Sequence, residues 1–345
     1  MTTTSPANSA GRGLSAVPAD GHPVDDLPLD DYDEKLRTLS EGSVHRHFDP
    51  YLDIDWDTAD FQIIAADPRW ILQENGDPLG SHPWYQALPE DRKIEIGRWR
   101  QANVARVGLQ FEELLIGGVM QYVFRRPNGS AEFRYLTHEC IEECNHTLMF
   151  QEMVNRIGAD VPGMRRWVKL LGPLIPLTGS IVPVWFFAAV LAGEEPIDHM
   201  QKAVLRGGDR MHPIMRSVMA IHIAEEARHI SFAHEFLRRR VPTMSTPSRF
   251  VLSIAFPITM RVACDIIVIP PPEFFRKFDI PKSVKRELFW SGPEARESLR
   301  DFFGDVRMLA TDAGLMNPIS RAVWKLCKID GKPARYRGEP VRKAA

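Results

Sequence analysis

Two stretches of the sequence place a glutamate and a histidine three residues apart in the same pattern. They read I-E-E-C-N-H, ending at His146, and A-E-E-A-R-H, ending at His229, and the paired glutamates are Glu143 and Glu226. On an α-helix, side chains three positions apart lie about 60° apart around the axis and one turn apart along it. A carboxylate and an imidazole in this arrangement can bind one metal ion. One such pair is a weak signal, whereas two in one chain favour a site for two metals.

A second regularity adds two further glutamates to this pattern. Glu112 precedes Glu143 by 31 residues (143 − 112), and Glu195 precedes Glu226 by the same 31 (226 − 195). The chain therefore reads twice as Glu-x30-Glu-x-x-His, which predicts two antiparallel helical hairpins. Two facing hairpins form a four-helix bundle whose inward glutamates and histidines can bind two iron or manganese ions. Burying four carboxylates without cations would be prohibitive, and two divalent ions balance their charge.

His222 extends the second motif to H-x3-E-x2-H. It lies four residues before Glu226 and seven before His229, on the same face of the predicted helix. We predict a third metal-binding imidazole here, and the alternative role is a hydrogen bond to a metal ligand. Carboxylate and imidazole donors without thiolate favour iron over zinc, with manganese possible. The predicted metal ligands are Glu112, Glu143, His146, Glu195, His222, Glu226 and His229.

Each of these glutamates belongs to a Glu-Glu doublet, so the choice within a doublet needs a reason. The matched spacing favours Glu112 over Glu113, and the repeated Glu-x-x-His pair favours Glu226 over Glu225. Pro196, directly after Glu195, predicts a kink in its helix because proline cannot donate the backbone hydrogen bond. Either the kink lets Glu195 change its binding mode, or it is a bend without a chemical role.

This ordered set of residues resembles the p-aminobenzoate N-oxygenase (AurF-like) family of non-haem di-iron oxygenases. The resemblance covers roughly residues 47–330, including the segments F-E-E-L-L-I-G-G-V-M-Q and A-G-E-E-P-I-D and the extra histidine. It implies a ferritin-like helical fold, usually homodimeric, with two iron ions. It also implies that the diferrous site takes up O2 to form a peroxo-diferric species. Such enzymes oxidise arylamines through hydroxylamine towards nitroso or nitro compounds.

The electrons for this chemistry are expected from another protein. The sequence contains no flavin or nicotinamide fingerprint and no cysteine set for an iron–sulfur cluster. An external reductase or ferredoxin is therefore implied. The near-neutral balance of 43 basic and 45 acidic residues gives no electrostatic footprint for nucleic acid. Four scattered cysteines favour a reducing, cytoplasmic compartment.

The elements that position these residues are predicted to be helices, which gives an all-α fold with additional helices packed on the four-helix core. Four long helices are expected over about 89–126, 131–157, 181–205 and 213–239, and others near 246–266 and 292–310. Residues 1–46, rich in Ser, Thr, Ala, Gly, Pro and Asp, predict a disordered tail. One helical domain is predicted over 47–340.

The sequence leaves three rival functions open. A radical generator resembling ribonucleotide reductase needs a tyrosine beside the metals, and Tyr122 and Tyr135 lie on the relevant helices. A hydrocarbon or fatty-acyl oxidase would use the uncharged stretch 170–193 as a substrate tunnel or membrane contact. That stretch is long enough to span a bilayer, but its prolines and glycines favour a turn and a buried helix. A non-enzymatic iron-storage bundle would be shorter.

Overall fold

The computed structural model describes residues 31–74, 76–206 and 210–334, and every regular element within them is helical. The longer helices are α1 (Asp31–His45), α2 (Glu90–Val123), α3 (Ala131–Ile157), α4 (Pro183–Leu205), α5 (Pro213–Arg240), α6 (Thr246–Val268), α7 (Pro293–Phe302), α8 (Gly304–Asp312) and α9 (Pro318–Leu326). Short helices lie at Pro83–Gln86, Arg166–Leu171, Leu177–Ile181, Pro272–Lys277 and Lys282–Arg286. Single turns of 3-10 helix lie at Ala59–Phe61, Pro68–Trp70, Gly172–Leu174 and Val241–Thr243, and a π-helical turn at Glu287–Ser291. The predicted all-α fold is confirmed.

Two helical hairpins build the core. Helix α2 packs along α3, and α4 packs along α5, while α3 also contacts α5 and α2 contacts α4. Each hairpin has a short connection, which makes its two helices antiparallel neighbours. Helix α6 covers α4, and α1 lies against α3 and α5. The result is a ferritin-like four-helix bundle with additional packed helices.

Local sequence signals set the limits of α3 and so place its motif in the middle of the helix. The Ser130 side chain accepts a hydrogen bond from the Phe133 amide and caps the start. Gly158 ends the helix in the left-handed conformation at φ 65°, and its amide donates to the Val154 carbonyl. Helix α5 begins similarly, with proline at its first position and the His212 ring accepting from the Ile214 amide.

Helices α2 and α4 approach each other closely where both carry glutamates. A side-chain carbon at Gly193 would collide with the ring of Phe111, so only glycine allows this packing. Helix α4 stays helical on both sides of Pro196. Phe111 directly precedes Glu112, and Gly193 directly precedes Glu194. The close contact therefore sets the distance between the two helices at the level of these carboxylates.

The predicted disordered tail of residues 1–46 needs correction, because residues 31–45 form helix α1. Its apolar face is buried in the domain through Leu36 and Leu39. The Tyr32 hydroxyl donates a 2.8 Å hydrogen bond to Glu132 of α3. The generally polar composition of the N-terminal region hid this short amphipathic pattern. Residues 1–30 of the predicted tail, and 335–340 of the predicted domain, lie outside the described residues.

The uncharged stretch 170–193 folds as a turn of short helices followed by the first half of α4. The side chains of Phe186, Phe187 and Leu191 are buried there. By length and composition, one helical stretch among the described residues could cross a membrane. It is Thr246–Lys277, which comprises α6 and the short helix after it, and half of its most apolar segment is buried in the domain. Buried core helices of bundles share these properties.

Candidate dimetal site

Six of the seven predicted ligands lie together inside the bundle, and none is more than 2% exposed. Helix α2 supplies one of them, α3 supplies two and α5 supplies three. The six residues are Glu112, Glu143, His146, His222, Glu226 and His229. We call these residues, together with Glu194 described below, the carboxylate–histidine cluster.

Glu143 and Glu226 lie at the centre of this cluster. His229 Nδ1 is 2.7 Å from Glu143 Oε1 and 3.5 Å from Glu226 Oε1. His146 Nδ1 is 2.9 Å from Glu143 Oε2 and 3.6 Å from Glu226 Oε1. Each of the two carboxylates therefore contacts both imidazoles. This is the placement expected of carboxylates that bridge two metal ions.

His222 joins the cluster through its Nε2 atom, which lies 3.3 Å from Glu226 Oε1 and 3.4 Å from Glu112 Oε1. Its Nδ1 is 2.9 Å from the side-chain oxygen of Gln201. Because an amide oxygen only accepts hydrogen bonds, this contact assigns the proton to Nδ1 and leaves a lone pair on Nε2 facing the cluster. The lone pair is what metal binding requires.

Glu195 is the predicted ligand that the structure does not bring to the cluster. Its Oε1 accepts a 2.7 Å hydrogen bond from His234. The preceding residue, Glu194, is also buried, and both of its oxygens lack a hydrogen-bond partner. Burial and the nearby Glu226 carboxylate raise the pKa of Glu194 well above its usual value. Adjacent helical residues point about 100° apart, so Glu194 faces the cluster while Glu195 faces His234 in another part of the interior.

The position of the inward glutamate within each doublet follows a pattern that the 31-residue spacing did not reveal. On α2 the first member, Glu112, is buried and Glu113 is exposed, and on α4 the inward member is again the first. On α3 and α5 the second members, Glu143 and Glu226, carry the Glu-x-x-His pair. The first glutamate of the doublet therefore faces the cluster on α2 and α4, and the second glutamate does so on α3 and α5.

The other members of the doublets on α3 and α5 hold the histidines from outside the cluster. Glu142 Oε2 accepts a 2.7 Å hydrogen bond from His229 Nε2, and Glu225 Oε2 accepts one of 2.9 Å from His146 Nε2. Each contact crosses from one hairpin to the other. Fixing the proton on Nε2 leaves Nδ1 free to bind a metal. Sequence reasoning did not assign Glu142 or Glu225 a role.

Arg228 ties the two outer carboxylates together. Its Nη2 lies 2.7 Å from Glu142 Oε1 and 3.6 Å from Glu225 Oε1. Burial raises the pKa of Glu142, but the hydrogen bonds and charges of His229 and Arg228 outweigh it, so that the pKa is lowered overall. Glu142 is therefore a carboxylate that stays charged in the interior and accepts from both groups. Arg228 lies within the A-E-E-A-R-H motif, which is the signal that could have found it.

The chemistry of the donor set fits two divalent cations. Buried carboxylate oxygens without a hydrogen-bond partner include Glu112 Oε2 and both oxygens of Glu194 and Glu226. Proteins rarely leave buried carboxylate oxygens unpartnered, because the desolvation cost is high. Four carboxylates carry four negative charges, and two divalent ions carry four positive ones. Within the cluster, two groups of three residues each bring their ligand atoms close enough to bind one metal ion. They are His146, His222 and Glu226, and Glu143, Glu226 and His229.

Protons take the place of cations in the metal-free protein. Burial lowers the pKa of His146, but the neighbouring carboxylates, Glu143 foremost, outweigh it and raise the pKa to about 10. Burial and the nearby Glu143 carboxylate raise the pKa of Glu112 well above its usual range. The pKa of both residues is raised because the cluster without cations has an excess of negative charge.

Of the two tyrosines considered for radical chemistry, Tyr135 lies nearer the cluster. Its hydroxyl is buried without a hydrogen-bond partner, and its ring packs on Phe232 with centroids 5.1 Å apart. One turn along α3, buried Glu139 lies between Tyr135 and Glu143, and burial and charge raise the pKa of Glu139 to about 8. The Tyr122 hydroxyl instead donates a 2.8 Å hydrogen bond to Glu132.

The helical bundle and its inward carboxylates and imidazoles define a ferritin-like protein of the dimetal carboxylate class. Residues 30–314 match the family described as P-aminobenzoate N-oxygenase AurF, so the chain belongs to this family, whose members are di-iron enzymes. The chain is 62% identical over 312 residues to the uncharacterized protein Rv0885 of Mycobacterium tuberculosis and to the uncharacterized protein Mb0909 of Mycobacterium bovis. These alignments cover 90% of this chain and 92% of each relative.

Proposed function

We propose that this protein is a di-iron oxygenase that uses O2 to N-oxygenate an amine, giving a hydroxylamine, nitroso or nitro product. The observation that carries the proposal is the buried cluster in which Glu143 and Glu226 each contact both His146 and His229, with both Glu226 oxygens lacking a hydrogen-bond partner. Membership of the family supports the reaction class.

In this proposal the chain provides two sets of metal ligands, one on each side of the carboxylates of Glu143 and Glu226. Glu112, His146 and His222 would hold one iron ion, and Glu194 and His229 the other, with Glu143 and Glu226 shared. Manganese fits the same donors. When bound, the ions supply the oxidation chemistry with O2.

The remaining residues fix the ligands and exclude water. From outside the cluster, Glu142 orients the imidazole of His229 and Glu225 orients that of His146. Gln201 orients the imidazole of His222. Because all of these side chains are buried, the hydrogen bonds act in a medium of low polarity, where they are stronger than in water. The site is thus arranged before any substrate enters.

Oxidation of an amine to a hydroxylamine consumes one O2, two electrons and two protons and releases one water. The protein therefore requires an external reductase or ferredoxin as electron donor. We also propose that it acts as a cytoplasmic homodimer, which the family resemblance and the cysteine content favour.

Iron loading and isotope labelling test the proposal. Protein loaded with Fe(II) under argon should retain two iron ions per chain, and exposure to ¹⁸O2 with an arylamine and a reductant should place ¹⁸O on the product nitrogen. Glu226→Gln should lose metal and activity, whereas Glu235→Gln, on the surface of the same helix α5, should keep both. Retention of only trace iron, or an unchanged amine despite two bound irons, would contradict the proposal.

Tyrosyl radical generation is a second candidate function, favoured by one observation. Tyr135 is fully buried beside Glu139 on the helix that carries Glu143 and His146. A radical EPR signal that appears on exposure of the Fe(II) protein to O2 and disappears in Tyr135→Phe would favour this function.

A further inference from the structure

A narrow cavity of about 40 Å³ reaches the carboxylate–histidine cluster at Glu112 and His222. Apart from these residues and two glutamines, its walls are mainly apolar. The apolar side chains of its walls include Val104, Phe150, Met153, Ile197, Met215 and Met219. Methionine side chains are flexible and rearrange readily, so this small cavity can widen around a ligand.

A second cavity, of about 70 Å³, continues the first away from the cluster. The two share walls at Gln101, Gln201, Met215 and Met219, and the second extends past buried Arg100 to the partly exposed Arg69. We call the two together the methionine channel. Beyond it, a larger open pocket lies against Arg69, Arg206 and Arg210.

The sequence places the channel walls along the bundle axis. On α2, Gln101, Val104, Gly108 and Glu112 follow one another at helical spacings of three or four, and so share a face. The Cα atoms of Gln101 and Glu112 are 11 residues apart, about 16 Å along the helix. The channel is therefore long as well as narrow.

The opposite side of the cluster is filled by aromatic rings. Phe187, Phe232 and Phe236 pack with centroids 4.5 to 5.8 Å apart, and Tyr135 packs on Phe232. The methionine channel therefore extends from the side of the cluster that faces away from these rings.

The channel offers no unpaired cation along its described walls. Arg100 is buried, and its guanidinium donates to Asp77 Oδ2 and to the Val268 carbonyl, each at 2.9 Å. At the outer end, Arg69 is paired with Asp60 and Asp67. A carboxylate carried into the channel would lose its hydration without gaining a partner, which is costly.

Away from the cluster, the wall of the channel also contains a buried polar atom without a partner. Gln101 Nε2 donates a 3.2 Å hydrogen bond to the Trp70 carbonyl, and this contact fixes the orientation of the amide. The other atom of that amide, Gln101 Oε1, is buried without a hydrogen-bond partner. It is an acceptor available to a donor group of a ligand, more than about 10 Å from the cluster.

We propose that the methionine channel binds uncharged, elongated arylamines, with the reacting nitrogen at Glu112 and His222 and an apolar body along the methionines. A hydrogen-bond donor at the far end of the ligand binds Gln101 Oε1. Arylamines fit because they are neutral at pH 7, whereas alkylamines are ammonium ions. This inference rests on the proposed function, which it refines by naming the substrate class.

The test measures binding by calorimetry to the metal-free and the zinc-loaded protein. The Kd of 4-alkylanilines should fall about threefold for each added CH2 between ethyl and hexyl. 4-Aminobenzoate, which matches 4-ethylaniline in size but carries a charge, should bind at least about tenfold more weakly than 4-ethylaniline.

Three variants locate the site. Gln101→Leu should weaken binding of 4-(6-hydroxyhexyl)aniline about fivefold, while leaving 4-hexylaniline unchanged or tighter. Met219→Trp should abolish binding of 4-hexylaniline, and Met120→Trp, at an exposed position on α2, should not. Val104→Phe is a second blocking variant if Met219→Trp does not fold.

Specific outcomes overturn this inference. They are affinity independent of chain length, 4-aminobenzoate binding as tightly as 4-ethylaniline, equal effects of Gln101→Leu on both hexyl ligands, or 4-hexylaniline binding that survives a folded blocking variant. A failure of iron loading leaves these binding results intact and overturns the proposed function alone.

Discussion

Glu142 on α3 and His229 on α5 belong to different hairpins, yet Glu142 Oε2 accepts a 2.7 Å hydrogen bond from His229 Nε2. The reciprocal contact joins Glu225 on α5 to His146 on α3 at 2.9 Å. Each hairpin thus orients the proposed metal-binding histidine of the other. The two halves of the site are therefore coupled before metal binds.

The crossed contact between Glu142 and His229 predicts a loss of metal affinity in Glu142→Gln. The amide keeps the shape but removes the charge that holds the imidazole, so iron affinity should fall about 10- to 100-fold. Competition with a chelator measures it. Glu152→Gln, on the same helix near the surface, is the matched control, and equal affinity in the two variants would contradict a role for Glu142.

The neighbouring glutamates on α4 provide a second prediction. Glu194→Gln should reduce bound iron from two ions per chain to about one, because it removes a carboxylate from one side of the cluster. Glu195→Gln should retain two, since its amide oxygen can still accept from His234. Metal analysis of both variants decides between adjacent residues, and the reverse result would assign the ligand role to Glu195.

Metal removal should make stability depend on pH between 7 and 9. Burial raises the pKa of Glu139 to about 8, and the neighbouring carboxylates raise that of His146 to about 10 against the opposing effect of burial. Both groups hold protons in the folded metal-free protein that the unfolded chain releases at these pH values. Their stabilising contributions are therefore lost as pH rises through the folded pKa values.

Denaturant titrations of metal-free protein at several pH values measure this effect. The free energy of unfolding should fall by roughly 2 kcal/mol per pH unit from pH 7 to 9, since each group that holds an extra proton contributes up to about 1.4 kcal/mol per unit. Metal-loaded protein should show a smaller slope, because cations replace the protons. A metal-free stability that stays constant or rises over this range would show that the cluster is not charged as described.

Tyr135→Phe separates the two candidate functions. If the protein is an N-oxygenase with chemistry centred on the metals, the variant should form amine product within about threefold of the wild-type rate. Its stability should be nearly unchanged, because the hydroxyl removed is buried without a partner. Product assays with EPR in parallel make the measurement, and loss of a radical together with activity would favour radical generation.

Much of the fold could be predicted because its signals are local. The ends of α3 follow from Ser130 and Gly158, and the hairpins follow from the repeated Glu-x-x-His spacing. Helix α1 could not be predicted in this way, since its few apolar residues are stabilised by contacts with α3 and α5 that are distant in sequence.

The candidate site shows the same division between local and long-range information. Spacing indicated Glu143, His146, Glu226 and His229, because three-residue separations fix a shared helix face. It indicated Glu195, whereas the structure brings the adjacent Glu194 to the cluster, because one residue along a helix rotates a side chain by about 100°. The roles of Glu142 and Glu225 depend on contacts between hairpins, which no local pattern specifies.

The central claim is that Glu143 and Glu226 lie between two metal ions. Anomalous diffraction at the iron edge, from crystals loaded with Fe(II) under argon, tests it most directly. Two iron peaks should flank this carboxylate pair, one near His146 and His222 and the other near His229 and Glu194. A single peak, none, or a peak beside Glu195 and His234 would contradict it.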